Sequence, residues 1–263
     1  MNNRPIGIFD SGVGGLSVFA ELIQLLPDEN YIYFGDTLNL PYGNKSFEEL
    51  VSITSNIFDF FKSKNVKAVV MACNTTSATA YDALKSKYDF KIYPIVQNVS
   101  KQIALKNYSK IGVLATNATI NSHAYKKEIQ KYNPNVQVFE HPCPNWVNIV
   151  EHELQMENDS REDIKFHLNE VLKHNPEKII LGCTHYPYLI NILSEFAPEN
   201  IFINPAKYFA QSIFDDLKCN NLINNQKLYE PKFYVSANPE QFKSSSRLFY
   251  NVKDVNFPAM VGA

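Results

Sequence analysis

The sequence predicts an α/β fold made of two pseudosymmetric parallel-sheet lobes with a cleft between them. Short apolar runs rich in Val, Ile and aromatic residues alternate along the chain with amphipathic segments of helical length. Continuous apolar strands separated by helices are typical of a parallel sheet that is covered on both faces. The second half of the chain also repeats motifs of the first half in the same order. A chain of 263 residues is long enough to bury a core in each of two such lobes.

The individual elements follow from local patterns. Apolar runs with β-branched and aromatic residues predict strands, and apolar residues spaced three or four apart predict helices, with Pro and Gly at the joins. The predicted strands are 5–9, 31–35, 67–72, 91–96, 110–115, 136–140, 178–182, 200–203 and 232–236. The predicted helices are 15–26, 46–63, 76–87, 120–132, 160–173, 188–196 and 206–217.

Composition excludes several classes of protein. The hydrophobic share of 45%, the charged share of 20% and the net charge of −2 are typical of an ordinary globular protein. Scattered Lys and Arg argue against a nucleic-acid partner, and no apolar run is long enough to cross a membrane. A strand-like RPIGIFD near the first residue leaves no room for a signal peptide, so we expect a cytoplasmic protein.

The cysteine pattern argues against a disulfide framework or a CxxC redox pair, because the four cysteines lie far apart. They are Cys73, Cys143, Cys183 and Cys219. For Cys143 and Cys219 we expect the common role of a small buried hydrophobic residue. The other two stand at predicted strand ends, where polar residues follow, and this position favours a function.

The internal repeat consists of two pairs of segments at nearly one offset. IGIFDSGVGG at 6–15 resembles IGVLATNATI at 111–120, and AVVMACNTTSA at 68–78 resembles KIILGCTHYPY at 178–188. Each half therefore supplies a strand and a loop, followed by a second strand with a cysteine at its carboxyl end. Ligands of open α/β sheets bind beyond the carboxyl ends of the strands. We therefore expect the two cysteines to face one cleft from opposite sides.

Two opposed thiols suit the inversion of a carbon acid. Cys73 and Cys183 would each lie near the N-terminus of a following helix, where the helix dipole lowers the pKa of a thiol. One cysteine as thiolate removes a proton from one face, and the other as thiol returns a proton from behind. Such a pair works in mixed protonation and gives a bell-shaped dependence of rate on pH.

The differences between the repeats predict how each thiol is tuned. Asp10 ends the first strand of the first repeat, whereas Ala115 stands at the same position of the second. Thr75 of the first repeat is matched by His185 of the second. We expect Asp10 to assist the first cysteine and His185 to assist the second.

A glycine-rich loop and several neutral polar groups predict a binding site for a small anionic ligand. Gly12, Gly14 and Gly15 allow the backbone to approach a ligand, but the loop does not fit the dinucleotide pattern. A turn-rich loop at 35–44 follows a strand and offers further backbone amides. Side chains suited to the carboxylate and ammonium of an amino acid are Ser11, Asn74, Thr75 and Thr184.

Three other interpretations stay open from the residues alone. A zinc site of Cys73, Cys183 and His185 lacks a further ligand with convincing spacing. A cysteine hydrolase with His185 as base and Asp10 as orienting group leaves one cysteine unexplained. A non-catalytic amino-acid-binding module explains neither thiol.

The motifs resemble those of the bacterial glutamate racemase family, within the aspartate/glutamate racemase superfamily. The four segments that carry the resemblance are DSGVGG at 10–15, GDTLNLPYG at 35–43, ACNTTSA at 72–78 and GCTHYP at 182–187. Weaker similarity covers IGVLATNATINSHAY at 111–125, IVEHE at 149–153 and FYVSANPEQF at 233–242. Nearly the whole chain is therefore covered, and the PYG loop favours glutamate over aspartate as the substrate.

The resemblance implies cofactor-independent interconversion of L- and D-glutamate, with no metal, by a homodimer that supplies D-glutamate for peptidoglycan. It implies that Cys73 removes the proton of D-glutamate and Cys183 that of L-glutamate. Asp10 would support Cys73. His185 would support Cys183 together with a helix acid, either Glu151 or Glu153. Racemisation of aspartate is the alternative.

The resemblance also implies substrate contacts and lobe boundaries. The implied contacts are Asp10, Ser11, Pro41, Tyr42, Gly43, Asn74, Thr75, Thr116, Thr184 and His185. The implied lobes are 1–97 with 206–263, and 98–205. Two departures from the family pattern are Asn39, where many members carry arginine, and Asn204, where Asp is frequent.

Overall fold

The computed structural model describes residues 3–257 and contains two parallel sheets. The strands of sheet A are β1 (Ile6–Asp10), β2 (Tyr31–Gly35), β3 (Ala68–Met71), β4 (Lys91–Pro94) and β9 (Lys232–Val235). The strands of sheet B are β5 (Lys110–Ala115), β6 (Gln137–Pro142), β7 (Lys178–Gly182) and β8 (Phe202–Ile203). Their orders are β4-β3-β1-β2-β9 and β6-β5-β7-β8. The predicted fold class of two parallel-sheet α/β lobes is confirmed.

Helices cover the sheets, and three of them begin at the capping side chains of Ser46, Thr116 and Asn204. The helices are α1 (Leu16–Leu25), α2 (Phe47–Ser63), α3 (Asn74–Thr79), α4 (Tyr81–Leu84), α5 (Ile95–Ala104), α6 (Asn117–Ser122), α7 (Ala124–Tyr132), α8 (Trp146–Glu151), α9 (Asn158–Leu172), α10 (Ile190–Phe196), α11 (Pro205–Cys219) and α12 (Pro239–Ser246). Ser46 and Glu49 form a capping box at α2. Asn204 caps α11, so this departure from the family pattern retains an N-cap side chain.

The sheet register reproduces the repeat that the sequence predicts. Ile6 pairs with Ala68 in sheet A, and Ile111 pairs with Lys178 in sheet B. These four residues are the first residues of the four repeated segments. The order β4-β3-β1-β2 therefore corresponds to β8-β7-β5-β6, and β9 is an addition to sheet A.

Several predicted boundaries are wrong. The predicted strand 91–96 ends at Pro94, and Ile95 begins α5, whose buried residues Val99 and Ile103 follow helical spacing. The predicted helix 120–132 is divided at His123, which has a left-handed φ of 53°. The short helices α8 and α12 offer too few turns for a periodic pattern, and neither is predicted.

The largest apolar core joins the two sheets. Helices α5 and α11 contribute buried residues to one continuous cluster that also contains residues of β1 and β5. Helix α11 packs on α1 and α5, and α5 packs on α7. Within residues 3–257, no helix is long and apolar enough to span a bilayer.

Candidate active site

A cavity of about 220 Å³ lies between the two lobes and contains both predicted cysteines in its wall. Cys73 follows β3 and stands at the N-cap position of α3, while Cys183 follows β7 directly. Both cysteines are buried. The residues that line the cavity are Ser11, Pro41, Tyr42, Gly43, Asn44, Cys73, Asn74, Thr75, Thr116, Asn117, Pro144, Asn145, Val147, Asn148, Cys183, Thr184 and His185. Nine of the ten predicted substrate contacts are therefore in this wall, and Asp10 is not.

Asp10 lies beside the cavity wall and joins the two lobes. It is the last residue of β1 and is fully buried. One carboxylate oxygen accepts a hydrogen bond from the Gly12 amide at 3.2 Å, and the other accepts one from the Thr184 hydroxyl at 3.3 Å. Asp10 therefore orients Thr184, the residue that follows the second cysteine.

His185 connects the second cysteine to a carboxylate on α8. Its Nδ1 lies 3.8 Å from Cys183 Sγ, and its Nε2 lies 2.5 Å from Oε1 of Glu151. Glu151 is the last residue of α8, whereas Glu153 is exposed beyond the end of that helix. Of the two acids that the sequence leaves open, Glu151 is the one that contacts His185.

Burial controls the pKa of Cys73. Desolvation, with a further contribution from the charge of Asp10, raises the pKa of the Cys73 thiol to about 12, although hydrogen bonds from Thr76 oppose the shift. Desolvation also raises the pKa of Asp10, and the nearby His185 opposes that shift. Cys73 is therefore a protonated thiol at neutral pH.

The environment of His185 favours its charged form. Burial by itself would lower the pKa of the imidazole, but hydrogen bonds to Cys183 and Glu151 outweigh burial and raise this pKa well above its usual value. Burial would likewise raise the pKa of Glu151, yet the bond to His185 leaves it lowered. The cysteine of the second lobe thus has a cationic neighbour that the cysteine of the first lobe lacks.

A chain of hydroxyls crosses the cleft at the other side of the cavity. Thr75 Oγ1 in α3 lies 2.9 Å from Thr116 Oγ1, and Thr116 Oγ1 lies 3.0 Å from Thr119 Oγ1. Thr116 also caps α6 through its side chain. These contacts fix two of the predicted substrate contacts relative to each other.

The loop that carries the PYG sequence is fixed by Asp36. The Tyr42 hydroxyl donates to Asp36 Oδ2 at 2.5 Å, and the Asn39 amide donates to the same oxygen at 2.9 Å. The Ser236 hydroxyl, just after β9, donates to the other oxygen at 2.7 Å. Asn39 therefore acts as a local support of Asp36.

Comparison with known proteins decides the family. The model of the Asp/Glu/Hydantoin racemase family matches residues 6–212. The chain belongs to this family. It is 37% identical over 258 residues to the glutamate racemase of Thermoanaerobacter pseudethanolicus, with 97% of each chain covered. It is 38% identical over 254 residues to that of Carboxydothermus hydrogenoformans, with 95% of this chain and 94% of the relative covered. The chain is thus an isomerase that acts on amino acids, as the sequence motifs predict.

Solved structures agree with this placement. Glutamate racemase from Francisella tularensis in complex with D-glutamate matches over the full length of both chains, with a TM-score of 0.93 and 32% identity. Isoform RacE1 of the Bacillus anthracis glutamate racemase matches over 99% of both chains, with a TM-score of 0.92 and 29% identity. The aspartate racemase of Picrophilus torridus, at 20% identity and a TM-score of 0.58, shares the fold.

The glycines of the glycine-rich loop make room for side chains of the site. A Cβ on Gly14 would lie 2.4 Å from the Thr184 hydroxyl and 2.7 Å from His185 Nδ1, and a Cβ on Gly15 would lie 2.5 Å from Asp10 Cβ. The loop glycines do not line the cavity. They make room for the side chains of the site, while Ser11 of the same loop lines the cavity, and the approach of the loop backbone to a ligand stays a prediction.

Some residues of the racemase site were missed from the sequence. Six further residues line the cavity: Asn44, Asn117, Pro144, Asn145, Val147 and Asn148. Four of these belong to α8 or to the loop before it, and that helix is too short for the sequence to predict. Asn117 lies inside the IGVLATNATI repeat, which could have identified it.

The remaining predictions for cysteines and metals can be compared with the structure. Cys143 is buried as expected, but Cys219 is exposed because it is the last residue of α11, where the helix leaves the core. Among residues 3–257, no group of three or more His, Cys, Asp or Glu side chains is arranged to hold a metal ion. The zinc interpretation therefore gains no support from the geometry.

Proposed function

We propose that this enzyme interconverts L- and D-glutamate by a two-cysteine acid/base mechanism that uses no cofactor. The observation that carries the proposal is the position of Cys73 and Cys183, which line one cavity from the two lobes of the fold. The relatives named as glutamate racemases cover nearly the whole chain, and one similar structure contains D-glutamate. These matches favour glutamate over aspartate as the substrate.

In the direction from L- to D-glutamate, the Cys183 thiolate removes the Cα proton. The electron pair of the broken C–H bond is delocalised into the substrate carboxylate, and the Cys73 thiol then donates its proton to the opposite face. The raised pKa of Cys73, about 12, keeps it protonated for this step. Each turnover leaves Cys73 as thiolate and Cys183 as thiol.

In the reverse direction, Cys73 is the base and Cys183 the acid. The charged imidazole of His185 is held by Glu151 and stabilises the thiolate of Cys183 in both directions. In one direction this thiolate is the base, and in the other it forms when the Cys183 thiol donates its proton. Burial raises the pKa of the Cys73 thiol, and the charge of Asp10 adds to this shift. A two-base mechanism requires one thiol and one thiolate, and the two cysteines accordingly have different charged neighbours.

The polar wall of the cavity binds the amino acid. The Nδ2 group of Asn74 is buried and has no hydrogen-bond partner among the described residues, so it offers a donor to a substrate carboxylate. The hydroxyls of Ser11, Thr75, Thr116 and Thr184 surround the same cavity, which the PYG loop closes on one side. Carboxylate and ammonium groups are satisfied by such neutral donors and acceptors.

Three further parts of the proposal concern the protein as a whole. The D-glutamate formed would supply peptidoglycan synthesis, and the enzyme would act as a homodimer. The two lobes would comprise 1–97 with 206–263 and 98–205, and the pairing of β9 with β2 of sheet A supports a discontinuous first lobe. Residues 1–2 and 258–263 of that lobe lie outside the described residues.

Incubation with L-glutamate in heavy water tests the function. We expect racemisation without added cofactor, with solvent deuterium at Cα of the product enantiomer and almost none in the remaining substrate, because each face has its own base. Aspartate assayed in parallel decides between the two substrates. Deuterium that enters substrate and product equally from the start would contradict the two-base mechanism, and absence of exchange would contradict the function.

Single substitutions test the roles of the cysteines. Cys73→Ala and Cys183→Ala should each reduce racemisation by about 1,000-fold or more, since each removes the acid or base of one face. Cys219→Ala is the matched control and should retain full activity, because Cys219 is exposed and lies on α11. Full activity in either active-site variant would refute the mechanism, and an acyl-enzyme trapped on one cysteine would favour a hydrolase.

A further inference from the structure

Tyr125 makes a hydrogen bond from the second lobe to the segment that carries Cys73. It lies in α7 and is fully buried. Its hydroxyl donates to Oδ1 of Asn74 at 2.6 Å, and Asn74 is the first residue of α3, directly after Cys73. Tyr125 does not line the cavity, so it acts on a ligand only through another residue.

The ring of the same tyrosine packs against the strand end that carries Cys183. A Cβ added at Gly182, the residue before Cys183, would lie 3.1 Å from Cε2 of Tyr125. One side chain therefore contacts the residues that flank both cysteines, its ring on one side of the cleft and its hydroxyl on the other.

The hydrogen bond from Tyr125 determines which end of the Asn74 amide can serve a ligand. Oδ1 is occupied by the phenol, and Nδ2 is a buried donor with no partner in the described part of the chain. Asn74 lines the cavity, and buried N–H groups in proteins are nearly always satisfied. With the amide rotated by half a turn, an oxygen instead of an N–H group would be offered to the negatively charged substrate carboxylate.

We propose that Tyr125 is a positioning residue that fixes the Asn74 amide with its N–H donors available to the substrate carboxylate. This inference rests on the proposed racemisation of glutamate and adds a residue to it. The carboxylate is common to both enantiomers, so Tyr125 serves binding in both directions and does not distinguish the two faces of Cα.

Tyr125→Phe is the variant that tests this role. We expect KM for L- and for D-glutamate to rise equally, by about tenfold, because a charge-assisted hydrogen bond is lost when the amide is free to rotate. We expect kcat to change by less than about twofold, since the thiols are untouched. Tyr31→Phe is the matched control, because Tyr31 is also buried and donates to the Leu26 carbonyl at 2.9 Å, away from the cavity. It should leave KM unchanged.

A double variant separates positioning from a general effect on the fold. If Tyr125 acts through Asn74, then Tyr125→Phe should add nothing to the KM of Asn74→Ala, because the amide is already absent. An additive rise of KM in the double variant, or a loss confined to kcat, would overturn the proposal. An unchanged KM in Tyr125→Phe would overturn it as well.

A ligand-free measurement keeps this inference distinct from the proposed function. The side-chain NH₂ signals of Asn74, assigned by their loss in Asn74→Ala, should shift in Tyr125→Phe and stay in place in Tyr31→Phe. Signals that stay in place in Tyr125→Phe contradict the inference even if the wild-type enzyme racemises glutamate. Conversely, a wild-type protein without racemase activity contradicts the proposed function. Signals that shift in Tyr125→Phe would even then support the positioning of the Asn74 amide by Tyr125.

Discussion

The contact between His185 and Glu151 distinguishes the site of Cys183 from that of Cys73. Cys183 has a charged imidazole 3.8 Å from its sulfur, whereas Cys73 is influenced by burial and by the charge of Asp10. The first repeat carries Thr75 at the position of His185. Together with Asp10, which is matched by Ala115, this substitution gives two similar strand ends different charged neighbours.

Replacing Glu151 with glutamine should lower stability in a pH-dependent way. The pKa of His185 is raised in the folded protein, so its charged form stabilises the fold fully below the unfolded pKa of about 6.5. This contribution is lost as the pH rises through the raised pKa. We expect Glu151→Gln to lose about 2 kcal/mol of unfolding free energy near pH 6.5, with a smaller loss in alkaline buffer.

Denaturant unfolding of both proteins across the neutral to alkaline range measures this difference. Glu153→Gln is the matched control, because it removes an exposed carboxylate two residues further along the chain. It should unfold like the wild type at every pH. A loss in Glu151→Gln that stays constant with pH would show that the charge of His185 does not contribute.

Cys73 follows the carboxyl end of strand β3, and a buried ion pair anchors the chain just before the amino end of this strand. Lys67 Nζ lies 2.7 Å from Oε2 of Glu29 and donates to the Leu222 carbonyl at 2.7 Å. Glu29 also accepts from the Asn224 amide at 2.8 Å. Burial raises the pKa of Glu29 and lowers that of Lys67, so each charge depends on its partner. The pair ties β3 to the chain that follows α11.

Lys67→Met should destabilise the protein strongly, by about 3–5 kcal/mol, because Glu29 stays buried without the ammonium group. The double variant Lys67→Met with Glu29→Gln should recover part of this loss, since the uncompensated charge is removed. Urea unfolding followed by circular dichroism measures both. A Lys67→Met variant as stable as the wild type would show that the pair contributes nothing. At urea concentrations below the unfolding transition, kcat of the variants should be unchanged.

The two lobes share one core, and this affects how the whole molecule unfolds. The largest apolar cluster contains Ile8 of sheet A and Val113 of sheet B, with Val99 of α5 and Phe209 of α11 between them. A second cluster lies on the other face of sheet B and includes the buried Trp146. Because neither lobe can lose its helices without exposing the shared cluster, we expect the lobes to unfold together.

The single tryptophan of the chain provides the test of cooperative unfolding. Trp146 fluorescence reports on the second lobe, whereas far-ultraviolet circular dichroism reports on helices of both lobes. The two signals should give the same midpoint and the same slope with urea. Separate transitions would show that the shared cluster does not couple the lobes.

Several features of the fold were predictable because they depend on local patterns. Strands such as Lys110–Ala115 and Lys178–Gly182 are buried on both faces, so they are continuous apolar runs with clear ends. The prediction over 91–96 was wrong because Pro94 joins a strand directly to a helix and the two patterns overlap there. Helix α8, from Trp146 to Glu151, has only six residues and carries no readable period.

The sequence by itself determined the repeated α/β architecture, the cysteine at each repeated strand end and the family. These features are local motifs or repeats of them, and they are visible along the chain. Only the tertiary structure decided that Glu151 and not Glu153 contacts His185, and that Tyr125 holds Asn74, 51 residues away in the chain. The first contact lies within the second lobe and the second crosses the cleft, and both depend on how distant segments pack, which no local pattern of residues encodes.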